Sequence, residues 1–261
     1  MKLTVLGSGA ALFNPTAPYR YPASHLVEID GQHVLLDAGL GVLPQITKLG
    51  LTVGDIQTMV ISHFHIDHFN IQPLLQRYFL DGKFGGKKVK LHLIGPPGIA
   101  ERAKVGFNQC GFDFDEDFLP NVDYKVTEFS DQQPILISDN THLIPRKTTH
   151  YKVDAYAVRL EAGDAVVAYS GDSTNDDALV ASAKDADIFI CEASAPVHKD
   201  SDTGHLNPGD AAKTAQKAHA KHLVLAHYSG HDSAEDILAS AQSTEFEGQV
   251  SVANDLDVFT V

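Results

Sequence analysis

The sequence predicts an α/β protein of the α+β type, in which two packed β-sheets are covered on the outside by helices as a four-layer αββα sandwich. The chain passes twice from a strand-rich segment to alternating helices and strands. It has 261 residues, of which 43% are hydrophobic, enough for a substantial core. No low-complexity linker divides it. We therefore expect one domain over residues 1–261.

The first pass opens with a hairpin. The turn signal Asp30-Gly31 lies between two strand-like segments, residues 24–29 and 32–37. Residues 2–6 are expected to join the same sheet. After the hairpin we predict a glycine-rich bend at 39–41, a helix to about residue 49, a strand at 58–61 and a helix at 69–80. An exposed turn within 82–90, a strand at 89–94 and a helix that starts at Pro96-Pro97 follow. The segment 111–120 is predicted to be an acidic, aromatic loop at the border of a functional site.

The second pass begins with strand after strand from residue 124 to 169. It includes a predicted hairpin of residues 155–160 and 165–169 around 161–164. Helix and strand then alternate, with a helix at 176–183, a strand at 187–191, a helix at 208–219, a strand at 222–226, and a final helix and strands. This alternation predicts helices packed on one face of the second sheet.

Charge and composition restrict the function classes. Acidic residues outnumber basic ones 34 to 20, and the formal net charge of −14 opposes broad binding to nucleic acid phosphates. We expect a cytoplasmic protein without membrane contacts, because no stretch reads as a signal peptide or a membrane span. Cys110 and Cys191 are too few and too far apart for a disulfide framework.

Residues 63–68 carry four metal-ligand side chains directly after the apolar run 58–61. His63, His65, Asp67 and His68 form the pattern H-x-H-x-D-H. Imidazole nitrogens and a carboxylate oxygen suit zinc or a similar divalent ion, and a loop after a strand can aim all four at one point. A solvated polar turn is the alternative, which the apolar Phe64 and Ile66 between the ligands disfavour.

Three later residues are candidates to complete the metal site, because each comes at the end of a predicted strand. They are His150, Asp172 and His227. Each alone is more typical of a cap or turn. Since strand ends meet at one edge of a sandwich, we expect the three to approach the histidine loop.

With these motifs the chain resembles a metallo-β-lactamase-fold hydrolase over nearly its whole length. The matching segments are Leu36-Asp37-Ala38-Gly39, the H-x-H-x-D-H motif, Ser170-Gly171-Asp172-Ser173 and Ala226-His227-Tyr228-Ser229. The resemblance implies two divalent metal ions, zinc by default, with manganese or iron as alternatives. It assigns one ion to His63, His65 and His150, the other to Asp67, His68 and His227, with Asp172 as the bridge. Asp37 would orient a ligand or the loop.

Two further segments narrow the resemblance to the ribonuclease Z-like phosphodiesterase branch. They are residues 188–194, which contain Glu192, and 204–208, which contain His205. The resemblance implies that Glu192 supports His205, which faces the reacting phosphate, and that Asp67 both binds metal and contacts the nucleophile. A neighbour of a helix cap is the other interpretation of His205. The tRNA-binding arm that such enzymes commonly carry has no room between His150 and Asp172.

The sequence therefore predicts a metal-dependent phosphodiesterase that uses a metal-activated hydroxide on a small or unstructured substrate. Structured RNA is a less favoured partner, and a homodimer is compatible with the exposed sheet edges. Arg20, Tyr228 and Ser229 are predicted to contact the phosphate. The alternatives are a tRNA 3′-processing endonuclease, a lactonase or thioesterase, and a binding module that has lost activity.

Overall fold

A computed structural model describes residues 1–11, 18–174, 176–201 and 204–261. Within these residues two seven-stranded sheets pack face to face. The first sheet has the order β14-β1-β2-β3-β4-β5-β6. Its strands are β1 (Lys2–Gly7), β2 (Ser24–Ile29), β3 (Gln32–Leu36), β4 (Ile56–Val60), β5 (Val89–Gly95), β6 (Val122–Glu128) and, from the end of the chain, β14 (Val258–Thr260).

The second sheet has the order β13-β12-β11-β10-β9-β8-β7. Its strands are β7 (Ile135–Ser138), β8 (Thr141–His150), β9 (Val153–Ala162), β10 (Ala165–Tyr169), β11 (Ile188–Glu192), β12 (His222–Ala226) and β13 (Gln249–Val252). Each sheet is antiparallel on one side and parallel on the other, with the change at β3 in the first sheet and at β10 in the second.

Helices cover the outer face of each sheet. Those outside the first sheet are α1 (Val42–Lys48), α2 (Gln72–Phe84), α3 (Ile99–Gln109) and the single turn α4 (Leu119–Asn121). Those outside the second sheet are α5 (Asp177–Ala183), α6 (Pro208–Lys217) and α7 (Ala234–Gln242). None of the helices in the described ranges has the length and apolar character needed to cross a membrane.

Three apolar layers separate these four structural layers, because side chains alternate along each strand. On β3, Val34 and Leu36 lie in the core between the sheets, while Leu35 packs under the first set of helices. On β11, Ile190 belongs to the inner core and Phe189 to the core under the second set of helices. The predicted αββα sandwich is confirmed.

Two helix starts and one loop differ from the sequence prediction, and the first of these is helix α3, which begins at Ile99 and not at Pro96-Pro97. Helix α2 begins at Gln72, not near Phe69, because Phe69 forms an isolated bridge with Ala38 that holds the histidine loop against residues 37–39. The acidic, aromatic segment 111–120 contains a π-helical turn, Phe114–Phe118, whose two phenylalanine rings pack around Phe107 of α3. That segment contributes to the outer core.

The strand directions place one edge of the sandwich at the carboxyl ends of six strands. In the first sheet β3 and β4 run parallel, and in the second β10, β11 and β12 do so. Strand β8 has the same direction as β10, because both are antiparallel to β9 between them. Residues that follow or end these strands therefore converge at one edge.

Candidate metal centre

The histidine loop follows β4 at this edge and supplies ligand atoms to two separate groups. The first group contains His63, His65, His150 and Asp172, and the second contains Asp67, His68 and His227; in each, the ligand atoms lie within 4.8 Å of one another. Apart from the partly exposed His65, these side chains are buried. The seven predicted ligands are therefore brought together in these two groups, with Asp172 in the first, and a third group joins Asp172 and His227 to His205.

Short distances between imidazole nitrogens define each group. In the first, His65 Nδ1 lies 3.0 Å from His150 Nε2. In the second, His227 Nε2 lies 3.0 Å from His68 Nε2 and 3.2 Å from Asp67 Oδ2. Groups of nitrogen and carboxylate donors at this spacing could each hold one divalent ion.

Asp172 lies between the two groups, in the turn after β10. Its Oδ2 atom is 3.7 Å from His63 Nε2, and its Oδ1 atom is 3.2 Å from His68 Nε2. One carboxylate oxygen thus faces each group. The preceding Gly171 has φ +56°, and a Cβ there would lie 2.9 Å from Ser62 Cβ, so glycine allows the turn to approach the loop this closely.

Hydrogen bonds behind the imidazoles fix which nitrogen faces inward. His150 Nδ1 lies 2.6 Å from the Gly204 carbonyl oxygen, to which it donates. Ser194 Oγ donates to the His227 carbonyl oxygen and, 2.6 Å from His227 Nδ1, is placed to accept from that nitrogen. In both rings this leaves the Nε2 lone pair for the interior of the group, which is the arrangement of a metal-bound histidine.

Asp37 supports His68 directly, and His63 through Ser62, from behind. Its fully buried carboxylate accepts hydrogen bonds from the Ser62 amide (2.6 Å) and hydroxyl (2.7 Å) and from the Tyr169 hydroxyl (2.7 Å). Its Oδ2 atom is also 2.7 Å from His68 Nδ1. Because the Ser62 hydroxyl donates to Asp37, it accepts from His63 Nδ1 at 3.0 Å. These contacts are those expected of a residue that orients metal ligands, the role predicted for Asp37.

Two polar atoms in the groups show that the residues fit metal ions. His63 Nε2 and Asp172 Oδ1 are buried, and neither makes a well-aligned hydrogen bond among the described residues, although Asp172 Oδ1 lies 3.2 Å from His68 Nε2. Buried polar atoms are normally paired, so both require a partner such as a cation.

The pKa values of the ligands agree with this fit. Burial lowers the pKa of His63 well below its ordinary value and also lowers that of His150, which favours the neutral imidazole that binds metal. Burial acts in the same direction on His68, but the charges of Asp172 and Asp37 outweigh it and raise the pKa of His68. The converging carboxylates therefore create a demand for positive charge at this position.

Beside the two groups, Glu192 and His205 form an ion pair. His205 Nδ1 lies 3.0 and 3.1 Å from the two Glu192 carboxylate oxygens. Glu192 is buried at the end of β11, where it also accepts from the Ser173 amide at 2.9 Å. Burial raises the pKa of Glu192, and the hydrogen bond from His205 opposes that rise. The His205 ring stacks on that of His227 with centroids 5.8 Å apart, so the predicted pair adjoins the second group.

The three residues predicted to contact the phosphate have structural contacts within the protein. Arg20 donates to Ser8 Oγ and to the Ala253 carbonyl oxygen, and its guanidinium lies 4.5 Å from the centre of the Tyr228 ring. Tyr228 is buried and also donates to Ala253. The buried Ser229 donates to the Ser194 carbonyl oxygen at 3.4 Å. Arg20, Tyr228 and Ser229 thus fasten the loop after β12, and their contact with the phosphate stays a prediction.

Sequence reasoning missed three supporting residues, Ser62, Tyr169 and Ser194. Each is within three residues of a motif position, since Ser62 precedes His63, Tyr169 ends β10 three residues before Asp172, and Ser194 follows Glu192 in the same segment. A hydroxyl residue beside a ligand is a signal that could have identified them.

A family model described as the beta-lactamase superfamily domain matches residues 32–228. The chain belongs to the β-lactamase superfamily. It is a metallo-hydrolase of that superfamily, and its fold is the metallo-β-lactamase fold, as expected. The chain is 28% identical to a ribonuclease Z of Mycobacterium bovis (98% of this chain and 96% of the relative) and 28% identical to a probable metallo-hydrolase, YhfI, of Bacillus subtilis (97% of each).

Solved structures agree on the fold. The crystal structure of Bacillus subtilis YhfI superposes with a TM-score of 0.83 at 23% identity, covering 99% of this chain and 98% of that one. The short form of human tRNase Z superposes with a TM-score of 0.74 at 22% identity over 100% and 99% of the two chains. A diphosphatase of the PhnP family superposes with a TM-score of 0.72 at 21% identity, covering 99% of this chain and 96% of that one.

Proposed function

We propose that the protein is a phosphodiesterase with a dinuclear metal site, acting on a small or unstructured phosphodiester. The observation that carries the proposal is the Glu192–His205 pair beside the two ligand groups. Carboxylic esters and phosphodiesters both develop negative charge on the group that leaves, so this charge alone does not separate the two substrate classes. The pair favours phosphodiesters because the ribonuclease Z-like phosphodiesterases that the chain resembles support a histidine with an acidic residue at these positions, and that histidine faces the reacting phosphate.

Two divalent ions, most simply zinc, would be held by His63, His65 and His150 and by Asp67, His68 and His227, with Asp172 between them. Bound there, they would supply Lewis-acid polarisation of the phosphoryl oxygens and a water of lowered pKa. Manganese or iron would fit the same nitrogen and oxygen donors.

The protein's own groups would then position the reactants. Asp67 is close enough to the centre to accept a hydrogen bond from the attacking water as well as to hold metal. As the new phosphorus–oxygen bond forms, the ester bond on the opposite side breaks and its oxygen requires a proton or a positive charge. His205 would supply either one, because Glu192 holds its Nδ1 atom and 21% of its side chain remains exposed to solvent.

A second candidate is 3′ processing of tRNA precursors. Its support is the ribonuclease Z of Mycobacterium bovis, which this chain matches over almost its whole length. In this chain the hairpin β9–β10 occupies the interval between His150 and Asp172 where a tRNA-binding arm would be inserted. Accurate 3′ cleavage of a tRNA precursor at nanomolar enzyme would establish this candidate over the first.

The test of the proposal is a substrate panel with the zinc-loaded protein: bis(p-nitrophenyl) phosphate, cyclic nucleotides, a lactone and a thioester. We expect phosphodiester turnover, which His205→Ala should abolish while retaining bound zinc. His142→Ala is the matched control, because His142 is exposed at the other end of the strand that carries His150. Lactone or thioester hydrolysis without phosphodiester hydrolysis would contradict the proposal.

A further inference from the structure

Next to the second ligand group the surface contains a small apolar hollow, which we call the Ile66 hollow. It is lined by Ala11, Pro22, Leu40, Ile66, Asp67 and Asn70, and its volume is about 260 Å³. Asp67 belongs both to this lining and to the second ligand group, so the hollow opens directly beside the centre.

Ile66 is unusual because it projects outward from the middle of the histidine loop. Its side chain is 80% exposed, although it is flanked by His65 and Asp67. Leu40, in the bend that follows Asp37, is 58% exposed on the same hollow. Single exposed apolar residues are ordinary, but two that line one concavity beside a reaction centre are typical of a ligand site.

The bend that carries Leu40 is fixed against the histidine loop. A Cβ at Gly39 would lie 2.6 Å from the carbonyl oxygens of Asp67 and Pro22, so glycine at this position allows the bend to pack directly against the backbone of both residues. The Gly39 amide donates to the Ala23 carbonyl oxygen, and Ala38 donates to that of His68. The hollow is therefore built on the same rigid contacts that place the metal ligands.

The chemistry of the described lining suits an apolar occupant better than a phosphate. Among the lining residues that the structure describes, Asp67 is charged, with a negative charge, and Asn70 is polar. The other four described residues are apolar. A phosphate requires donors or cations, whereas an apolar ester group attached to it requires this kind of surface.

We propose that the Ile66 hollow binds the apolar ester group of the substrate, a group of about the size of one aromatic ring, while the phosphate lies at the ligand groups. The proposal deepens the proposed function and rests on it for the position of the phosphate. The volume supports the size, because it is below the ~300 Å³ at which pockets for whole drug-sized ligands begin. Ile66 and Leu40 would then determine specificity.

The test compares two phosphodiesters that differ only in their ester groups. Calorimetric titration of the zinc-loaded protein is expected to give a Kd for diphenyl phosphate at least about tenfold lower than that for dimethyl phosphate, the scale of small apolar groups in a hydrophobic pocket. Ile66→Ser and Leu40→Ser should each reduce this ratio several-fold. Both positions are exposed, so the variants are expected to fold, and the zinc content of each is measured first.

Leu136→Ser is the matched control, because Leu136 is similarly exposed (54%) but lies on β7 at the edge of the second sheet. Its ratio should equal that of the wild type. The proposal that the Ile66 hollow binds the ester group would be overturned by any of three results. These are equal affinity for the two phosphodiesters, no binding of diphenyl phosphate, and an unchanged ratio in Ile66→Ser and Leu40→Ser. Failure of the proposed function has a different result: the phenyl preference is present, but bis(p-nitrophenyl) phosphate is not hydrolysed.

Discussion

Replacing Asp37 by asparagine tests how the structure holds its ligands. Asparagine keeps the shape and tolerates the left-handed backbone at this position, where φ is +57°. Its amide has one acceptor oxygen, which is best placed at Oδ2, where the hydroxyls of Ser62 and Tyr169 and the His68 ring converge. The NH₂ group then faces the Ser62 amide, donor against donor.

The cost follows from these contacts. One buried donor loses its acceptor, at about 1–3 kcal/mol, and three hydrogen bonds lose the carboxylate charge, at about 1 kcal/mol each. We therefore expect Asp37→Asn to lower the free energy of unfolding by roughly 4–6 kcal/mol. We also expect zinc affinity to fall about 10- to 100-fold, because His68 and His63 lose the group that orients them.

Urea unfolding of the metal-free protein gives the first quantity, and competition with a fluorescent zinc chelator gives the second. Tyr169→Phe is the companion variant, because it removes one donor to Asp37 and leaves the carboxylate in place; it should cost about 2 kcal/mol. An Asp37→Asn protein within about 1 kcal/mol of the wild type, with unchanged zinc affinity, would refute this reasoning.

Three further predictions follow from single contacts. Glu192→Gln should keep the bound zinc but lower kcat for bis(p-nitrophenyl) phosphate about 100-fold, because His205 loses its charged partner; an unchanged kcat would remove the pair from the mechanism. Gly39→Ala should destabilise the protein by about 1–3 kcal/mol and weaken zinc binding. In the control, Gly163→Ala, the new Cβ meets nothing within 4 Å, so this variant should lose only about 1 kcal/mol to backbone strain and keep the zinc affinity of the wild type. Equal zinc affinities of the two variants would contradict this prediction. Burial, with smaller contributions from the charges of His68 and His227, lowers the pKa of His25 from 6.5 to about 3, so the unfolded chain binds a proton that the fold does not between these pH values. The contribution of His25 to the free energy of unfolding is therefore fully present above pH 6.5 and is lost as the pH falls toward 3, by up to about 1.4 kcal/mol per pH unit. His25→Leu should make the free energy of unfolding in urea less dependent on pH between 4.5 and 6.5. An unchanged dependence would exclude His25 as its source.

Local sequence patterns were sufficient for the architecture. The Asp30-Gly31 turn, the alternation of apolar residues and the helix–strand alternation after residue 170 all act over a few residues, and the structure places the elements accordingly. The start of α2 was predicted too early, because the tertiary bridge between Phe69 and Ala38 overrides the local helical pattern.

The candidate site was predictable where the ligands cluster in sequence and less so where support comes from a distance. His63 to His68 form one motif, and strand ends explain the approach of the later ligands. No local signal reveals that Tyr169 donates to Asp37, or that Asp37 and His227 both adopt positive φ (57° and 52°). Such strain persists only because the surrounding contacts impose it.

The same limit applies to the contacts that the fold gives Arg20. An arginine near the start of the chain is compatible with phosphate binding, but its partners Ser8, Ala253 and Tyr228 lie on three other segments that only the fold brings together.

The central claim is that the seven converging ligands form a two-metal site, and metal stoichiometry tests it most directly. Mass spectrometric quantification of zinc after dialysis against micromolar zinc should give two ions per chain for the wild type. His227→Ala removes a ligand from the second group only and should give about one, while His142→Ala should give two. A wild-type protein that binds one ion or none under these conditions would contradict the account.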